Sequence, residues 1–294
     1  MSDLQAAPAA AAPVARVAPA PPPAPSSALR SMPRPGWHVG TVVDARRETP
    51  NATRLEIEVD GWPGNAAGQH LDVRLTAPDG YTATRSYSIA SSGPGTVVTL
   101  AIDKLPDGEV SPYLVDEVRA GDVLEVHGPL GAFFVWEPAS AAEPEQEDAA
   151  TSAGASRPAD PPRPVQLIAG GSGVVPLFAM ANAHASAGDP TPFRLLYSVR
   201  TPDDLYFAEE LAAISAASAP LQFDLVYTRR APEGWPTPPG RITREQLEAA
   251  VIPAAQHPLV YVCGGTAFVE TVAAWLIELG HPSRSIRTER FGGT

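Results

Sequence analysis

Residues 165–176 read Val165-Gln-Leu-Ile-Ala-Gly-Gly-Ser-Gly-Val-Val-Pro176, an apolar run followed by a glycine-rich loop. The apolar run predicts a buried strand, and the residues after the loop predict a helix. A glycine loop between a strand and a helix is a setting in which proteins bind a dinucleotide, because glycine lets the backbone approach the pyrophosphate. Gly171 and Gly173 are therefore candidate nucleotide-binding residues.

Two other interpretations of this loop compete with nucleotide binding. Pro176 stands where the third glycine of G-x-G-x-x-G would be, so the loop departs from the standard Rossmann fingerprint. A serine-hydrolase elbow around Ser172 is excluded, because G-x-S-x-G needs glycine where Val174 stands. A bare glycine-rich turn remains the alternative, and the strand–loop–helix context favours the nucleotide.

The segments that follow the loop alternate between strand and helix patterns. Strands are predicted at 193–199, 223–227 and 259–262, and helices around 205–214 and 268–279. Strands that alternate with helices form parallel sheets. We therefore predict a doubly wound, parallel-sheet α/β domain over residues 165–294.

Residues 36–136 carry a different pattern, in which short strand-like runs are separated by Gly and Pro turns. Leu55–Val59 and Leu71–Leu75 alternate strictly, and Val97–Ile102 and Val123–Val126 are further predicted strands. Short strands at close spacing are typical of an antiparallel barrel or sandwich. The predicted fold class is β plus α/β, an antiparallel β-barrel followed by the doubly wound domain.

Two further stretches are not expected to pack. The chain has 294 residues and 34 prolines, and much of the proline lies in residues 1–35 and 137–164. Residues 1–35 contain few large apolar side chains, so we expect a disordered Ala/Pro-rich tail. Residues 137–164 add Glu and Asp to Pro and Ala, which indicates a solvated acidic linker insertion.

The composition excludes several classes of protein. Cys263 is the only cysteine, which excludes a disulfide framework, a cysteine-ligated iron–sulfur cluster and a cysteine-rich zinc site, and we predict no metal site. The net charge of −12 argues against a nucleic-acid partner. Glycines and Pro176 interrupt the apolar stretch after Val165, so we expect no membrane span, and no signal peptide is expected. We expect a soluble, cytoplasmic monomer.

Side chains able to bind phosphate and an aromatic ring lie in Arg85-Ser-Tyr-Ser88. Arginine pairs with phosphate, tyrosine presents a flat surface and serine donates a hydrogen bond. Alternation along a strand places Arg85 and Tyr87 on one face and Ser88 on the other. Taken alone, this motif is better explained as an ordinary polar barrel strand.

A helix start is predicted in Gly108-Glu-Val-Ser-Pro112. Ser111 is a suitable N-cap, and Pro112 would take the first helical position. The unpaired backbone N–H groups at such a start form an anion site. A plain helix start without a ligand is the alternative.

Two motifs lie near the C-terminus. Val262-Cys-Gly-Gly-Thr266 ends a predicted strand, and open α/β sheets bind ligands at the carboxyl ends of their strands, so Cys263 is expected near the site. A buried structural thiol is the alternative. Arg287-Thr-Glu-Arg-Phe-Gly-Gly-Thr294 places an aromatic residue on a short polar tail, for which a frayed terminus is the alternative.

In chain order, these motifs resemble the ferredoxin–NADP reductase superfamily, particularly bacterial reductases that end in an E-x-F tail. The order is R-x-Y-S, G-x-x-S, Gly128-Pro-Leu-Gly-Ala-Phe133, G-G-x-G-x-x-P, C-G and a terminal E-R-F. The resemblance covers residues 37–294 apart from the acidic insertion, and we expect no attached cysteine-rich ferredoxin domain. It implies an FAD-binding barrel followed by an NAD(P)-binding α/β domain.

The resemblance also implies roles for individual residues. Those that would bind the flavin phosphate, ring and pyrophosphate are Arg85, Tyr87, Ser88, Gly108, Val110 and Ser111. Those that would bind the nicotinamide nucleotide are Gly171, Gly173, Ser198, Arg200, Arg229 and Gly264. The catalytic candidates beside the reacting rings are Cys263, Glu289 and Phe291, of which Phe291 would move to admit nicotinamide. The sequence departs from the family pattern at His70, where relatives often carry an aromatic residue, and at Gly265, where proline is common.

The function implied is hydride transfer from NAD(P)H to bound FAD, followed by electron transfer to a redox protein. A ferredoxin, flavodoxin, haem protein or molybdenum enzyme would all fit as the acceptor. NADPH is favoured because Ser198, Arg200 and Arg229 are placed to hold a 2′-phosphate, whereas Asp203 and Asp204 follow closely, so NADH stays possible. FAD is favoured over FMN because the helix start suits a diphosphate.

Two alternatives remain open. One is a reductase of free flavin or of ferric chelates, which would hold its flavin loosely. The other is a flavin-binding electron-relay or regulatory subunit that does not use a pyridine nucleotide. The second glycine loop and the E-R-F tail argue against the relay subunit.

Overall fold

The computed structural model describes residues 35–138, 162–216 and 221–292. The Ala/Pro-rich tail predicted at 1–35 therefore lies outside the described residues except for its last position. Most of the acidic insertion predicted at 137–164 lies outside them as well. The described residues all belong to one compact unit, Pro33–Thr294.

The first half of the described chain is an antiparallel β-barrel, as predicted. Its strands are β1 (Gly36–Thr49), β2 (Ala52–Val59), β3 (His70–Thr76), β4 (Thr82–Ser88), β5 (Val97–Asp103) and β6 (Val123–Leu130). They pair in the order β4-β3-β6-β1-β2-β5. An antiparallel bridge between Ile89 and Leu100 joins the two ends of this sheet, which closes the barrel.

Alternation explains the barrel core. Leu55, Ile57 and Val59 on β2 are fully buried, as strict alternation predicts for side chains that share one face. A short helix, α1 (Ser111–Asp116), packs beside the barrel and buries Leu114 and Val115.

The start of α1 differs from the prediction. The N-cap is Val110, and Ser111 is the first helical residue, so Pro112 takes the second helical position. The Ser111 hydroxyl accepts a hydrogen bond from the Leu105 N–H at 3.0 Å and caps no helical N–H group. The serine therefore fixes the preceding turn, because its hydroxyl accepts from a backbone donor there.

The second half is a doubly wound sheet of five parallel strands, as predicted. In chain order, the elements are β7 (Val165–Gly170), α2 (Val174–Ala187), β8 (Phe193–Val199), α3 (Ala208–Ala216), β9 (Gln222–Tyr227), α4 (Arg244–Ala250), β10 (Leu259–Gly265), α5 (Thr266–Glu278) and β11 (Ile286–Phe291). The strand order is β11-β10-β7-β8-β9. The chain reverses direction across the sheet between β7 and β10, so the loops that follow these two strands meet at a topological switch point.

Three elements were not predicted from the pattern, namely β1, α4 and β11. β1 is 14 residues long and changes register twice against β2, which breaks its alternation. β11 pairs with β10 over Ile286–Phe291, so the frayed-terminus interpretation of this segment is wrong. Backbone hydrogen bonds hold β11 at the sheet edge, where a polar sequence is tolerated.

One hydrophobic cluster contains residues from both the barrel and the parallel sheet, and each half also has a buried cluster of its own. Phe134 and Trp136, which follow the barrel, are buried in the same cluster as Phe178 and Met180 of α2. The Tyr261 hydroxyl on β10 donates to the Val135 carbonyl at 2.8 Å. Within the described ranges, every helix is too short or too polar to cross a bilayer.

Candidate functional site

A cavity of about 770 Å³ lies between the barrel and the parallel sheet. The predicted site residues that line it are Arg85, Tyr87, Ser88, Gly108, Val110, Ser111, Gly171, Ser198, Arg200, Glu289 and Phe291. The predicted residues outside its lining are Gly173, Arg229, Cys263 and Gly264. The fold thus brings motifs from both halves of the chain to one cavity.

On the barrel side, β4 contributes Tyr87 and Ser88. Burial raises the pKa of the Tyr87 hydroxyl to about 12, so the phenol stays protonated and can donate a hydrogen bond. The Ser88 Oγ atom is buried and has no hydrogen-bond partner within the protein. A buried hydroxyl without a partner in a cavity wall is a group that a polar ligand would satisfy.

Arg85 lies on the same strand and is already paired. Its Nη2 atom lies 2.6 Å from Glu109 Oε2, and its Nη1 atom donates to the Thr84 carbonyl at 2.8 Å. The other carboxylate oxygen of Glu109 accepts from the Tyr81 hydroxyl at 2.9 Å. Arg85, which the sequence predicts as a phosphate-binding residue, therefore already pairs with the Glu109 carboxylate.

The turn before α1 forms the floor beside Arg85. A Cβ atom at Gly108 would lie 3.0 Å from Ser111 Oγ, so glycine lets the turn close on the serine. Val110 is fully buried and fixes the turn against the barrel core.

On the α/β side, the glycine loop after β7 packs closely against β10. A Cβ atom at Gly173 would lie 2.2 Å from the Cys263 carbonyl oxygen, so only glycine fits there. Gly171 has φ +56° and open space around it, and it faces the cavity. Gly171 therefore offers backbone to a ligand, whereas Gly173 lets the loop pack on β10.

The C-G pair after β10 also packs within the protein. Cys263 is fully buried, and burial together with the nearby Glu289 carboxylate raises the pKa of its thiol well above the usual value. The thiol therefore stays protonated. A Cβ atom at Gly264 would lie 2.9 Å from the Phe268 ring and 3.1 Å from the Gly170 carbonyl oxygen, so this glycine keeps the two loops in contact.

Glu289 on β11 is a titratable group in the cavity lining. Burial raises the pKa of its carboxyl to about 7, and its Oε2 atom is buried with no hydrogen-bond partner. His70 Nδ1 lies 3.9 Å from Glu289 Oε1, too far for a hydrogen bond, and burial lowers the pKa of this imidazole. Near neutral pH, Glu289 can hold or release a proton at the cavity.

The end of β8 contributes Ser198 and Arg200, which are buried and exposed respectively. Burial raises the pKa of the Asp103 carboxyl, and the positive charge of Arg200 acts on it in the opposite sense. Asp204 accepts from the Thr201 hydroxyl at 2.7 Å and also lines the cavity. Asp103 thus lies near the charges of both Arg200 and Asp204.

Sequence reasoning missed several residues in the cavity lining. They are Thr49, Asn51, Asp103, Glu109, Tyr206 and Phe268. Glu109 lies inside the quoted G-x-x-S motif, so its charge was the available signal. Asp103 and Tyr206 carried no signal, because their positions depend on how the two halves pack.

The donor set fits a phosphorylated flavin and a pyridine nucleotide. Ser88 and Glu289 present buried polar atoms without partners, and Arg85 and Arg200 supply cations on opposite halves. The loop at Gly171 offers backbone in open space. These are the features expected of hydrogen-bonding, phosphate-binding and close-approach positions.

Family models match both halves of the chain in this order. Residues 41–135 match the Oxidoreductase FAD-binding domain, and residues 167–274 match the Oxidoreductase NAD-binding domain. The two matched ranges coincide with the barrel and with the first four strands of the parallel sheet. The chain belongs to the ferredoxin–NADP reductase superfamily.

Individual relatives agree with this assignment. The Glycine betaine monooxygenase reductase subunit of Chromohalobacter salexigens is 29% identical over 231 residues, which cover 77% of this chain and 56% of that protein. The chain spans between 53% and 62% of the length of the first four curated relatives that it matches.

Solved structures share the fold. The flavohem-like FAD/NAD-binding domain of nitric oxide dioxygenase from Vibrio cholerae superposes with a TM-score of 0.70 at 22% identity, covering 87% of this chain and 99% of that one. A ferredoxin NADP+ reductase from Neisseria gonorrhoeae gives a TM-score of 0.65 at 19% identity, covering 86% and 98%.

Proposed function

We propose that the protein is an NAD(P)H-dependent flavoprotein reductase that holds FAD against the barrel and NADPH against the parallel sheet. One observation carries the proposal: a single cavity is lined both by the R-S-Y-S strand and by the carboxyl ends of the parallel strands. A cavity shared in this way brings two ring systems together, which is the main task of a protein that mediates hydride transfer.

When bound, FAD would accept a hydride from the nicotinamide and release electrons one at a time. The barrel residues would bind and orient it, with Arg85 on a phosphate, Tyr87 against the ring and Ser88 donating a hydrogen bond. The turn at Gly108, Val110 and Ser111 would face the pyrophosphate. These roles are supported by the cavity lining and by the unpartnered Ser88 hydroxyl.

The β11 residues would control protons and access. Glu289 would hold a proton near the reacting atoms, which its raised pKa and unpartnered oxygen support. Phe291 is half-buried in the cavity wall and would move to admit nicotinamide. Cys263 and Gly264 would act from behind the wall by positioning the glycine loop.

For the nucleotide, we propose NADPH, with Ser198 and Arg200 on the 2′-phosphate. Both line the cavity at the carboxyl end of β8, where no carboxylate stands within the strand. NADH is the second candidate, because Asp103 lies near Arg200 and Asp204 lines the same cavity, and both would repel a phosphate while accepting bonds from a ribose diol. Arg229 would act indirectly, since its N–H donates to the Arg200 carbonyl at 2.9 Å.

The acceptor would be a redox protein. The relative from Chromohalobacter is named a monooxygenase reductase subunit, which supports an oxygenase component or its electron carrier as the partner class. A ferredoxin, flavodoxin, haem protein or molybdenum enzyme belongs to the same chemical class. We further propose a cytoplasmic location and a monomeric state, on the basis of the sequence pattern.

A reductase of free flavin or ferric chelates is the second candidate function. The Arg85–Glu109 pair favours it, because a phosphate-binding arginine that already holds a carboxylate would retain flavin weakly. Retention of flavin through gel filtration separates the two candidates.

The decisive experiment is stopped-flow mixing of the flavin-loaded protein with NADPH and, separately, NADH. Rapid bleaching of the flavin absorbance with at least one nucleotide is expected, and no bleaching with either would overturn the reductase proposal. Mass spectrometry of the released flavin distinguishes FAD from FMN. An electron-relay subunit would bind flavin without bleaching.

A further inference from the structure

Arg85 is the one arginine or lysine that the barrel contributes to the described cavity lining. An anionic ligand on the barrel side therefore finds no other cationic side chain in that lining. The Arg85 and Glu109 side chains are each 51% exposed, so both are accessible to a ligand that enters from solvent.

Glu109 holds that guanidinium from a position that is itself fixed. One carboxylate oxygen lies 2.6 Å from Arg85 Nη2, and the other accepts from the Tyr81 hydroxyl at 2.9 Å. The chain therefore restrains the carboxylate from both sides. Arg85 is restrained as well, because its other terminal nitrogen donates to the Thr84 carbonyl.

The other charged side chains of the cavity lining do little to offset the negative charge of Glu109. The lining includes three arginines, Arg85, Arg200 and Arg290, and four acidic side chains, Asp103, Glu109, Asp204 and Glu289, of which Glu289 is protonated in part near neutral pH. A flavin phosphate that approaches Arg85 must displace Glu109 or lie against a like charge. Either route makes binding of a phosphorylated flavin weaker than the arginine alone would make it.

We infer that Glu109 is a built-in competitor for the flavin phosphate, so that it sets how tightly FAD or FMN is held and how readily it exchanges. The inference rests on the proposed function only in that the barrel binds a phosphorylated flavin. Under this inference, Glu109 changes the affinity for flavin only through its repulsion of the phosphate. Glu109 therefore discriminates against ligands by their negative charge and leaves recognition of the ring unchanged.

The test is a set of dissociation constants for FAD, FMN and riboflavin, measured by flavin fluorescence quenching on the full chain in wild type, Glu109→Gln and Glu109→Ala. Both substitutions are expected to tighten FAD and FMN binding about three- to tenfold at low salt, because an exposed ion pair and a like charge are removed. Riboflavin lacks the phosphate, so its dissociation constant should stay within about twofold. In about 1 M salt the gain should largely disappear, since charge interactions are screened.

Glu117→Gln is the matched control, because it changes the net charge equally at an exposed position outside the cavity lining. Its three dissociation constants should match those of the wild type. Unchanged or weaker FAD binding by both Glu109 variants would overturn the inference and would assign Glu109 to orienting Arg85. An equal gain for riboflavin would also overturn it. A wild-type protein that binds none of the three flavins would contradict the proposed function instead.

Discussion

Arg54 and Arg85 each form an ion pair with a glutamate at 2.6 Å, yet the two pairs lie in opposite surroundings. Arg54 and Glu48 are 9% and 6% exposed, whereas Arg85 and Glu109 are both 51% exposed. Arg54 also contacts Glu210 on α3 at 2.5 Å, so it joins the barrel to the α/β half. The same chemistry is structural where water is excluded and exchangeable where water and ligands compete.

The largest expected effect comes from removing the buried arginine. Arg54→Ala should lower the free energy of unfolding by about 3–5 kcal/mol, because it leaves Glu48 buried without its partner. It also removes a guanidinium that lies 4.5 Å from the Phe207 ring centroid. Urea unfolding measures the change. Arg46→Ala, at an exposed pair with Asp44, is the control and should cost less than about 0.5 kcal/mol. Similar losses in the two variants would remove the distinction between buried and exposed pairs.

The glycine loop also contains one closely packed position, Gly173, and one open position, Gly171. Gly173→Ala should destabilise the protein by about 3 kcal/mol, because the new methyl group would meet the Cys263 carbonyl oxygen at 2.2 Å. Gly171→Ala meets nothing within 4 Å and should cost only about 1 kcal/mol, from its positive φ. Thermal unfolding of both variants checks the order. A smaller loss at Gly173 than at Gly171 would contradict the packing role of Gly173.

The pH dependence of the free energy of unfolding tests whether the Glu289 carboxyl is buried. Burial raises its pKa from 4.5 to about 7, so the folded state binds this proton more tightly than the unfolded chain does. The stabilisation is fully present below pH 4.5 and is lost as the pH rises through 7. Glu289→Gln should therefore gain about 2 kcal/mol relative to wild type between pH 5 and pH 8. Urea unfolding across this range measures the difference, and a difference that does not change with pH would place Glu289 in solvent.

The smallest expected effect concerns an exposed arginine on the nucleotide side. Arg200→Ala should lower the ratio of kcat/KM for NADPH to that for NADH about tenfold, which corresponds to about 1.4 kcal/mol of phosphate binding. Arg284→Ala is the control, since Arg284 is exposed and lies outside the cavity lining, and its ratio should change less than about twofold. A ratio that Arg200→Ala leaves unchanged would favour NADH as the natural donor.

The sequence predicted the strands well where the alternation of apolar and polar residues arises from burial of one face. The runs Leu55–Val59 of β2 and Leu71–Leu75 of β3 alternate because one face is buried, and both strands were predicted within a few residues of their bounds. β1 was missed because its register shifts break the alternation, and β11 because an edge strand is held by backbone bonds. Ser111 was predicted as an N-cap, but only the folded turn shows that the Leu105 N–H is its donor.

In the site, too, some features follow from local motifs and others depend on contacts between distant segments. The motifs that supply Arg85, Tyr87, Ser88 and Gly171 are local, and their order along the chain, through the family resemblance, predicted a place in the site for each. The pairing of Arg85 with Glu109 joins residues 24 positions apart, and no local pattern encodes it.

By itself, the sequence determined the fold class, the order of the two binding halves and eleven of the thirty residues that line the cavity, because periodicity and motif spacing are properties of neighbouring residues. Only the tertiary structure decided which charges are buried, which are already paired and which glycines touch backbone. These properties depend on distances between segments far apart in the chain, and the strength of an ion pair or the pKa of a carboxyl changes steeply with distance and exposure.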